Sequence, residues 1–340
     1  MHEVFDWVGG LLKAVLFYVT ARAITLLPVR LLTRLGAWIA ETRPLGRYAG
    51  WRFAIEESNA TVPVRIRRLL WDYFKEKGFQ HPVRVKWFHS LKLDLVLGND
   101  QSRCLYVGGS FEPNEFALLA DVLRPGMVVV DAGANEGFYS VFMATRVGGD
   151  GQVIAVEPSP RERARLERNV TINNLRNVHV VNCGLAAHCG RAVLHIADAE
   201  HNGQNTLGHF VYEGVTTAAD LEIELQSLDA LIEKYTVRRL DLIKMDVEGA
   251  ELGVLLGAER VLRQFRPLIL LELLDDALRA QNTSGRDLLD FLTHRGYSIF
   301  KFEMAGTLSP LRDLAEASSN LLAVPSNQLE ALRRISGAAV

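Results

Sequence analysis

An aspartate, an asparagine and two glycines at alternating positions follow the short apolar run Val128 to Val130. The pattern is Asp131-x-Gly133-x-Asn135-x-Gly137. Glycine lets the backbone turn sharply and approach a ligand with no Cβ in the way. The helix expected to begin near Phe138 offers free N–H groups in its first turn. The segment therefore predicts a ligand-binding turn between a buried parallel strand and a helix.

The spacing of this turn also indicates which ligand binds. A dinucleotide fingerprint, G-x-G-x-x-G, brings backbone amides against a pyrophosphate, and its third glycine is missing here. A carboxylate before the glycines would repel a pyrophosphate, but it suits a cation such as the sulfonium side of S-adenosylmethionine. Glu157 follows at about the 20-residue spacing at which an acid binds ribose hydroxyls in either cofactor class. The alternative is an ordinary tight turn that binds nothing.

Four expected core strands each end in an acid. The four acids are Asp131, Glu157, Asp246 and Glu272. In a parallel α/β sheet the carboxyl ends of the strands face the ligand cleft, and this many acids at one edge exceeds what chance patterning would give. We therefore expect the binding or catalytic site at this edge.

Asp246, Glu248 and Glu272 are the candidate catalytic residues. A hydroxyl group that is methylated loses its proton, so a base near the cofactor is useful. Each acid also has a structural alternative: Asp246 as a helix N-cap, Glu248 as a charge favoured by the helix dipole, and Glu272 as an ion-pair partner. Nothing in the spacing requires a metal, and a divalent cation held by oxygen ligands is left open. Lys244 is expected to be an ion-pair partner rather than a base.

The elements around these residues alternate between strands and helices from residue 127 onward, which is typical of an α/β domain with a parallel sheet. We expect strands at 127–131, 152–157, 178–182, 240–246, 267–273, 297–303 and 321–324. The polar, glycine-rich segment 198–220 is expected to be a loop over the site, and its His201 and His209 are weak catalytic candidates. Before this domain, Val83 to Leu97 alternates with period two, which predicts a small antiparallel unit.

Composition sets outer limits on the class of protein. With 340 residues, 49% of them hydrophobic and 23% charged, the chain can bury a large core and hold more than one structural unit. The net charge of −2 gives no general attraction to nucleic acid. Residues 1–70 nevertheless carry 10 Lys/Arg against 5 Asp/Glu, a net of +5, which fits an anionic membrane surface or partner as well as a chance distribution of charges.

None of the three cysteines forms a C-x-x-C pair, which favours a reducing compartment, the cytoplasm, over a disulfide framework or zinc site.

The first 40 residues leave several alternatives open. The stretch from Val8 to Leu32 is apolar, but Lys13, Arg22 and Arg30 interrupt it. A membrane span needs about 20 apolar residues and central charges are costly. No secretory cleavage pattern follows a short apolar core. Helices packed on the body of the protein or on another subunit, in a homo-oligomer, are one alternative. Peripheral membrane contact through residues 1–40 is the second, and a membrane span is the least favoured.

Several motifs, in order along the chain, resemble those of the FkbM-type methyltransferases, a class I group that uses S-adenosylmethionine. The resemblance extends from about residue 104 to about residue 325. The matching segments are Phe111 to Pro113, Arg124 to Ser140, Val156 to Pro158, Asn169 to Asn174, Asp241 to Glu251, Arg266 to Glu272, and Asn320 to Pro325. The sequence departs from the family pattern after Glu272, where Leu273-Leu274-Asp275 stands in place of a frequent histidine.

The resemblance implies a seven-stranded, Rossmann-like sheet with an antiparallel last strand. It implies cofactor contacts from Asp131, Gly133, Asn135 and Glu157, joined by Gly137 of the same turn, and adenine near Asn182 and Cys183. Known members mostly methylate hydroxyls on sugars, glycolipids or natural products. The chain then divides into an N-terminal helical region at 1–80, a small β unit and linking helix at 81–123, a methyltransferase domain at 124–326, and a tail at 327–340.

These observations together favour an O-methyltransferase that uses S-adenosylmethionine and a small-molecule or glycan acceptor with a hydroxyl group. A non-catalytic cofactor-binding or scaffold protein with the same fold is the alternative from another class. A nicotinamide-dependent oxidoreductase is disfavoured by the glycine spacing.

Overall fold

The computed structural model describes residues 23–24, 26–41, 62–88, 90–303 and 307–330. The chain forms two compact units, Met1–Phe111 and Glu112–Val340. Most of the predicted N-terminal apolar stretch, the segment 42–61 and the end of the predicted tail, 331–340, lie outside the described residues. The predicted division at residues 80, 123 and 326 stays a prediction.

In its described residues, the first unit combines helices with a β-hairpin. Its elements are α1 (Val29–Glu41), α2 (Val62–Glu76), β1 (Pro82–Trp87), β2 (Leu91–Val96), a short helix at Asp100–Ser102 and a π-helical turn at Arg103–Val107. The hairpin strands pair antiparallel, and side chains along β1 alternate between buried and exposed, which confirms the predicted strand pair. Helix α1 lies close to this hairpin at Gly36, where an added Cβ would be 3.2 Å from Val83.

The second unit contains most of the regular structure. Its helices are α3 (Pro113–Val122), α4 (Phe138–Val147), α5 (Pro160–Ile172), α6 (Leu228–Lys234), α7 (Glu251–Leu256), α8 (Glu259–Phe265), α9 (Asp275–Ala280) and α10 (Gly285–His294), with 3-10 turns at Leu314–Glu316 and Ser326–Gln328. Its strands are β3 (Val128–Ala132), β4 (Gln152–Val156), β5 (Val178–Val181), β6 (Gly184–Leu185), β7 (Gly190–Ala197), β8 (Thr217–Gln226), β9 (Leu242–Met245), β10 (Leu268–Glu272), β11 (Tyr297–Phe302), β12 (Leu308–Pro310) and β13 (Asn320–Pro325).

The main sheet has the strand order β12-β11-β13-β10-β9-β3-β4-β5. Strands β10, β9, β3, β4 and β5 run parallel to their neighbours in this order, which confirms the predicted α/β class. The predicted antiparallel last strand is β13, which inserts between β10 and β11. The strand count of seven was wrong, because the sheet has an eighth strand, β12, at its edge. With three residues, β12 is too short to carry the alternation that predicts a strand.

Strand β3 lies at the point where the order of the strands in the main sheet reverses. It is flanked by β4, the next core strand in the sequence, on one side and by β9 on the other. Such a reversal of strand order opens a crevice outside the carboxyl ends of the strands. Val129 and Val130 of β3 are fully buried, so the apolar run anchors the turn that follows it in the core.

A second, three-stranded sheet has the order β6-β8-β7. The loop between β7 and β8 covers residues 198–216, so the predicted loop 198–220 was four residues too long. The reason is that the first residues of β8, Thr217 to Asp220, are small or polar and exposed, which resembles loop composition. Within the part of the chain that the structure describes, no helix combines the length and apolar character needed to cross a bilayer.

Candidate active site

A cleft lies at the carboxyl edge of the parallel strands and encloses about 640 Å³ of space, part of it open to solvent. Its polar lining includes Asn135, Glu157, Asn205, Asp246 and Glu248, and its apolar lining includes Val156, Leu185, Leu194, Leu207 and Ile223. A cleft with such a mixture of polar and apolar lining is typical of small-molecule and cofactor sites.

The glycine turn packs tightly against the neighbouring strand ends. Gly133 has a left-handed φ of +72°, and a Cβ on it would lie 1.8 Å from the carbonyl oxygen of Asp246. The Gly133 and Ala134 amides both donate to the carbonyl oxygen of Val156, at 3.1 and 3.0 Å. Only glycine fits such an approach. The turn thus brings the ends of β3, β4 and β9 together at the cleft.

Glu157 is held in place at the end of β4. Its two carboxylate oxygens each accept one backbone N–H, from Asn135 at 2.8 Å and from Ser159 at 2.8 Å. Burial raises the pKa of Glu157 to about 7. Each oxygen has a second lone pair, so the carboxylate is able to accept further hydrogen bonds from a ligand in the cleft.

Asp131 occupies a different position from the one that the sequence suggests. Its carboxyl group is fully buried, accepts a hydrogen bond from the hydroxyl of Ser140, and is not part of the cleft lining. Gly137 begins helix α4 and faces Leu166. Asn182 is exposed and accepts from Arg163 at 2.6 Å.

Seven sequence-predicted site residues line the cleft or its acidic wall together. They are Gly133, Asn135, Glu157, Cys183, Asp246, Glu248 and Glu272. Asp131, Gly137 and Asn182 lie outside the cleft lining. The functional roles assigned to all ten residues stay predictions.

The acidic wall consists of Asp246, Glu248 and Glu272, and one carboxylate oxygen from each lies within 4.8 Å of the others. They meet because β9 and β10 pair in parallel, with Met245 beside Leu271. Burial and then the charge of Asp246 raise the pKa values of Glu248 and Glu272 well above their usual range. Closely spaced carboxyl groups of this kind bind protons tightly, and such a set of oxygens is also able to hold a divalent cation.

Lys244 is the buried cation next to this wall. Its ammonium group donates to the carbonyl oxygen of Gly133 at 3.2 Å and to Asp246 Oδ2 at 3.3 Å, and lies 3.7 Å from Asp131 Oδ1. It also lies 4.9 Å from the ring centre of Tyr139. Burial disfavours the charge, but Asp246 and Asp131 raise the pKa of Lys244 above its ordinary value. The predicted ion-pair role of Lys244 is confirmed.

Replacing this cation gives a first prediction. We expect Lys244→Met to lower the free energy of unfolding by about 3–5 kcal/mol near neutral pH, because it leaves buried Asp131 without its cation. The loss should shrink at pH 5. Burial already raises the pKa of Asp131, so a falling pH lets the folded protein take up a proton there and removes the uncompensated charge. Urea denaturation at both pH values measures the effect.

Lys301→Met is the matched control for this prediction. Lys301 also lies in a strand of the main sheet, and it pairs with Glu316 at 3.3 Å in a more exposed setting. Exposed pairs contribute only about 0–1 kcal/mol. Equal losses for the two variants, or a loss for Lys244→Met that does not depend on pH, would contradict the burial argument.

A polar network that the sequence did not reveal adjoins Lys244. The Tyr139 hydroxyl donates to Glu112, and the Asn320 amide donates to Glu112 at 3.0 Å and to Glu115 at 3.1 Å. Burial, followed by the charges of Glu115 and Asp246, raises the pKa of Glu112 to about 7. In the sequence, Glu112 stood out only as part of a motif, because Asn320 is too distant along the chain to give a local signal.

The loop 198–216 covers part of the cleft, as predicted. The Asn202 amide donates to Glu136 at 2.8 Å, and the Thr206 hydroxyl donates to the carbonyl oxygen of Glu248 at 2.9 Å. His209 and Tyr212 line a small cavity beside Glu248, and burial together with the nearby acids raises the pKa of Tyr212. His201 instead lies 3.0 Å from Asp198 and is not part of the cleft lining.

Comparison with known proteins gives a family match that lies within the second unit. Residues 131–299 match the family model of the methyltransferase FkbM domain. The methyltransferase sdnD of Sordaria araneosa is 32% identical over 157 residues, which cover 38% of this chain and 60% of sdnD. The 2-O-methyltransferase NoeI of Sinorhizobium fredii (strain NBRC 101917 / NGR234) is 26% identical over 182 residues, which cover 50% of this chain and 72% of NoeI. The chain thus spans less than two thirds of the length of sdnD.

A solved structure with a similar chain is the methyltransferase FkbM from Methylobacillus flagellatus KT. Its sequence identity is 19%, the alignment covers 66% of this chain and 55% of that one, and the TM-score is 0.38.

Proposed function

Because residues 131–299 belong to the FkbM family of methyltransferase domains, we propose that the protein transfers a methyl group from S-adenosylmethionine to a hydroxyl group of a small-molecule or glycan acceptor. The observation that carries this proposal is a single cleft whose lining includes Glu157 and the glycine turn together with Asp246 and Glu248. Such a cleft offers a place for a cofactor next to a group that accepts a proton.

The residues of the cleft fit this cofactor. Bound S-adenosylmethionine supplies an activated methyl group on its sulfonium. The Glu157 carboxylate, with a free lone pair on each oxygen, would accept hydrogen bonds from the two ribose hydroxyls. Leu185, Leu194 and Ile223 give the apolar surface that an adenine ring needs. Asp131 would contribute indirectly, by holding the glycine turn in position, because its buried carboxyl group accepts a hydrogen bond from Ser140 and lies beside Lys244.

Asp246 is the residue that we assign as the proton acceptor. It lines the cleft, and its side chain is 33% exposed, so an acceptor hydroxyl has access to it. Lys244 donates a hydrogen bond to Oδ2 at 3.3 Å and so helps to hold this carboxyl group in position. When the oxygen–methyl bond forms and the sulfur–methyl bond of the sulfonium breaks to leave a neutral thioether, a carboxylate oxygen of Asp246 would take up the hydroxyl proton. Glu248 and Glu272, whose pKa values are raised, bind protons more readily than ordinary carboxyl groups and, in the protonated form, would donate hydrogen bonds to the acceptor.

The direct test uses the purified protein and S-adenosylmethionine labelled in its methyl group. We expect label to enter hydroxyl-bearing acceptors and mass spectrometry to find it on oxygen. Transfer to nitrogen or carbon would contradict the assigned acceptor group. Binding of the cofactor without transfer to any member of a broad hydroxyl panel would favour the non-catalytic alternative.

The raised pKa of Glu157 leads to a prediction about cofactor affinity. With a pKa of about 7 in the free protein, Glu157 is mostly protonated at pH 6 and mostly ionised at pH 8. Only the ionised form accepts from both ribose hydroxyls, so affinity for S-adenosylhomocysteine should rise about tenfold from pH 6 to pH 8. Calorimetric titration across this range measures the change.

The variant Glu157→Gln isolates the contribution of this carboxyl group. We expect about 10- to 100-fold weaker binding at pH 8, because charged hydrogen bonds are lost, and a much flatter pH dependence. Glu112 and Glu251 also have pKa values raised to about 7 by burial, so a pH dependence that persists in the variant would assign the effect to them and not to Glu157.

A further inference from the structure

Helix α1 carries large apolar side chains on its outward side. Leu31 is 46% exposed and Trp38 is 62% exposed, and Leu27, just before the helix, is exposed as well. Arg30 and Arg34 are exposed between them. Leu31, Arg34 and Trp38 follow an i, i+3, i+7 spacing, and Arg30, Arg34 and Trp38 follow an i, i+4, i+8 spacing, so these four helical residues share one face of α1. We call the set of Leu27, Arg30, Leu31, Arg34 and Trp38 the α1 face.

The opposite side of α1 is already used for packing. Leu32, Ile39 and Ala40 are buried, and the Tyr106 hydroxyl donates to the carbonyl oxygen of Gly36 at 3.1 Å. One side of the helix therefore packs against other residues of its own unit. Among the residues that the structure describes, the apolar side chains on the other side of α1 stay exposed, and large exposed apolar side chains arranged together mark interaction surfaces.

The charged residues of this helix are arginines until its last residue, Glu41. No acid occurs from Leu26 to Ala40, and residues 1–70 as a whole have a net charge of +5 from 10 Lys/Arg and 5 Asp/Glu. Arginine between leucines, with a tryptophan on the same face, is the composition of helices that lie in a membrane interface, where the apolar side chains enter the acyl boundary and the arginines meet anionic headgroups. Tryptophan favours this interfacial depth.

We propose that the α1 face binds the surface of an anionic lipid bilayer, with α1 lying parallel to the membrane plane. Charge complementarity favours this occupant over a second copy of the chain. A two-fold contact between copies would use the same surface twice and would bring two pairs of arginines together, whereas anionic headgroups neutralise them. This attraction should weaken with added salt, because exposed charges are screened.

The test is co-sedimentation of the full chain with vesicles of phosphatidylcholine mixed with phosphatidylserine, whose anionic headgroups attract basic surfaces. We expect binding to these vesicles, and at least about tenfold weaker binding to phosphatidylcholine alone. Leu31→Glu/Trp38→Glu should weaken binding to the anionic vesicles at least about tenfold. Arg30→Gln/Arg34→Gln should weaken it about 30-fold, since each arginine near such a surface contributes about fivefold.

Val193→Glu is the matched control, because Val193 on β7 is 47% exposed, close to the value for Leu31. It should bind vesicles as the unmodified chain does, and circular dichroism should show all variants folded. Binding that survives both double variants would place the lipid contact elsewhere and overturn the proposal. So would a loss of dimer in Leu31→Glu/Trp38→Glu with no vesicle binding by the unmodified chain, because the α1 face would then be an interface between copies.

Discussion

Asp246→Asn is expected to lower the turnover of methyl transfer about 10³-fold, within the range by which positioned general bases accelerate reactions. Asparagine keeps the shape of the side chain but cannot take a proton from the acceptor hydroxyl. The dissociation constant of S-adenosylhomocysteine should stay within about threefold, because Glu157 and the glycine turn are unchanged and the assigned role of Asp246 is toward the acceptor. Steady-state rates and calorimetry on the same preparation separate the two quantities.

Asp290→Asn is the control for this variant. Asp290 is an exposed acid on α10 in the same unit, so the substitution removes the same charge away from the cleft. Its turnover should stay within about twofold of the unmodified protein, as for most surface substitutions. If Asp246→Asn retained more than about a tenth of the activity, the proton would go elsewhere. Equal losses of cofactor affinity and turnover would make Asp246 a cofactor-binding residue instead.

The ligand-binding turn could be predicted from the sequence because its signal is local. A β-branched run, glycines at fixed positions and an acid at the end of the next strand lie within the segment from Val128 to Glu157. The acid at the end of each core strand likewise predicts a common edge, since parallel strands that share a sheet align their carboxyl ends. The structure brings Glu157, Asp246 and Glu248 to one cleft, as this reasoning requires.

The direction of the Asp131 side chain could not be predicted in the same way. Asp131 is the fourth residue of β3, and a strand buried on both faces has no alternation from which to determine the face of each residue. The structure directs its carboxyl group to Ser140 and Lys244. Lys244, in the neighbouring strand β9, pairs in register with Asp131, and this register appears only when the two strands are joined in a sheet.

The Glu112–Tyr139–Asn320 network could not be predicted from the sequence either. Its three residues are the residue just before α3, a residue of α4 and a residue of β13, and each looks like an ordinary cap, core or strand residue in its own segment. A hydrogen bond between Asn320 and Glu112 depends on the long-range placement of β13 beside β10. Without homologous sequences to show paired changes, a single chain gives no signal for such a contact.

Gly133→Ala is expected to lower the free energy of unfolding by about 3–5 kcal/mol and to abolish measurable cofactor binding. The alanine Cβ would lie 1.8 Å from the carbonyl oxygen and 2.9 Å from the carbonyl carbon of Asp246. Both are backbone atoms of the adjacent strand end, so no side-chain rotation relieves the overlap. Either the turn or the end of β9 must move, and that movement displaces Asp246 from the cleft.

Gly126→Ala separates this close approach from backbone strain. Gly126 also has a left-handed φ, +83°, but a Cβ there would have no atom within 4 Å. The free energy of unfolding of Gly126→Ala should therefore fall only by the cost of a left-handed backbone at a residue with a Cβ, about 1–2 kcal/mol. Cofactor binding should be unchanged. Denaturant titration and calorimetry on both variants give the comparison. Similar losses of stability would mean that the left-handed conformation alone requires glycine at position 133, and that the contact between the turn and Asp246 is loose enough to absorb a methyl group. A large loss of stability confined to Gly133→Ala would instead show that the position of Asp246, the proposed proton acceptor, depends on glycine at residue 133 of the cofactor-binding turn.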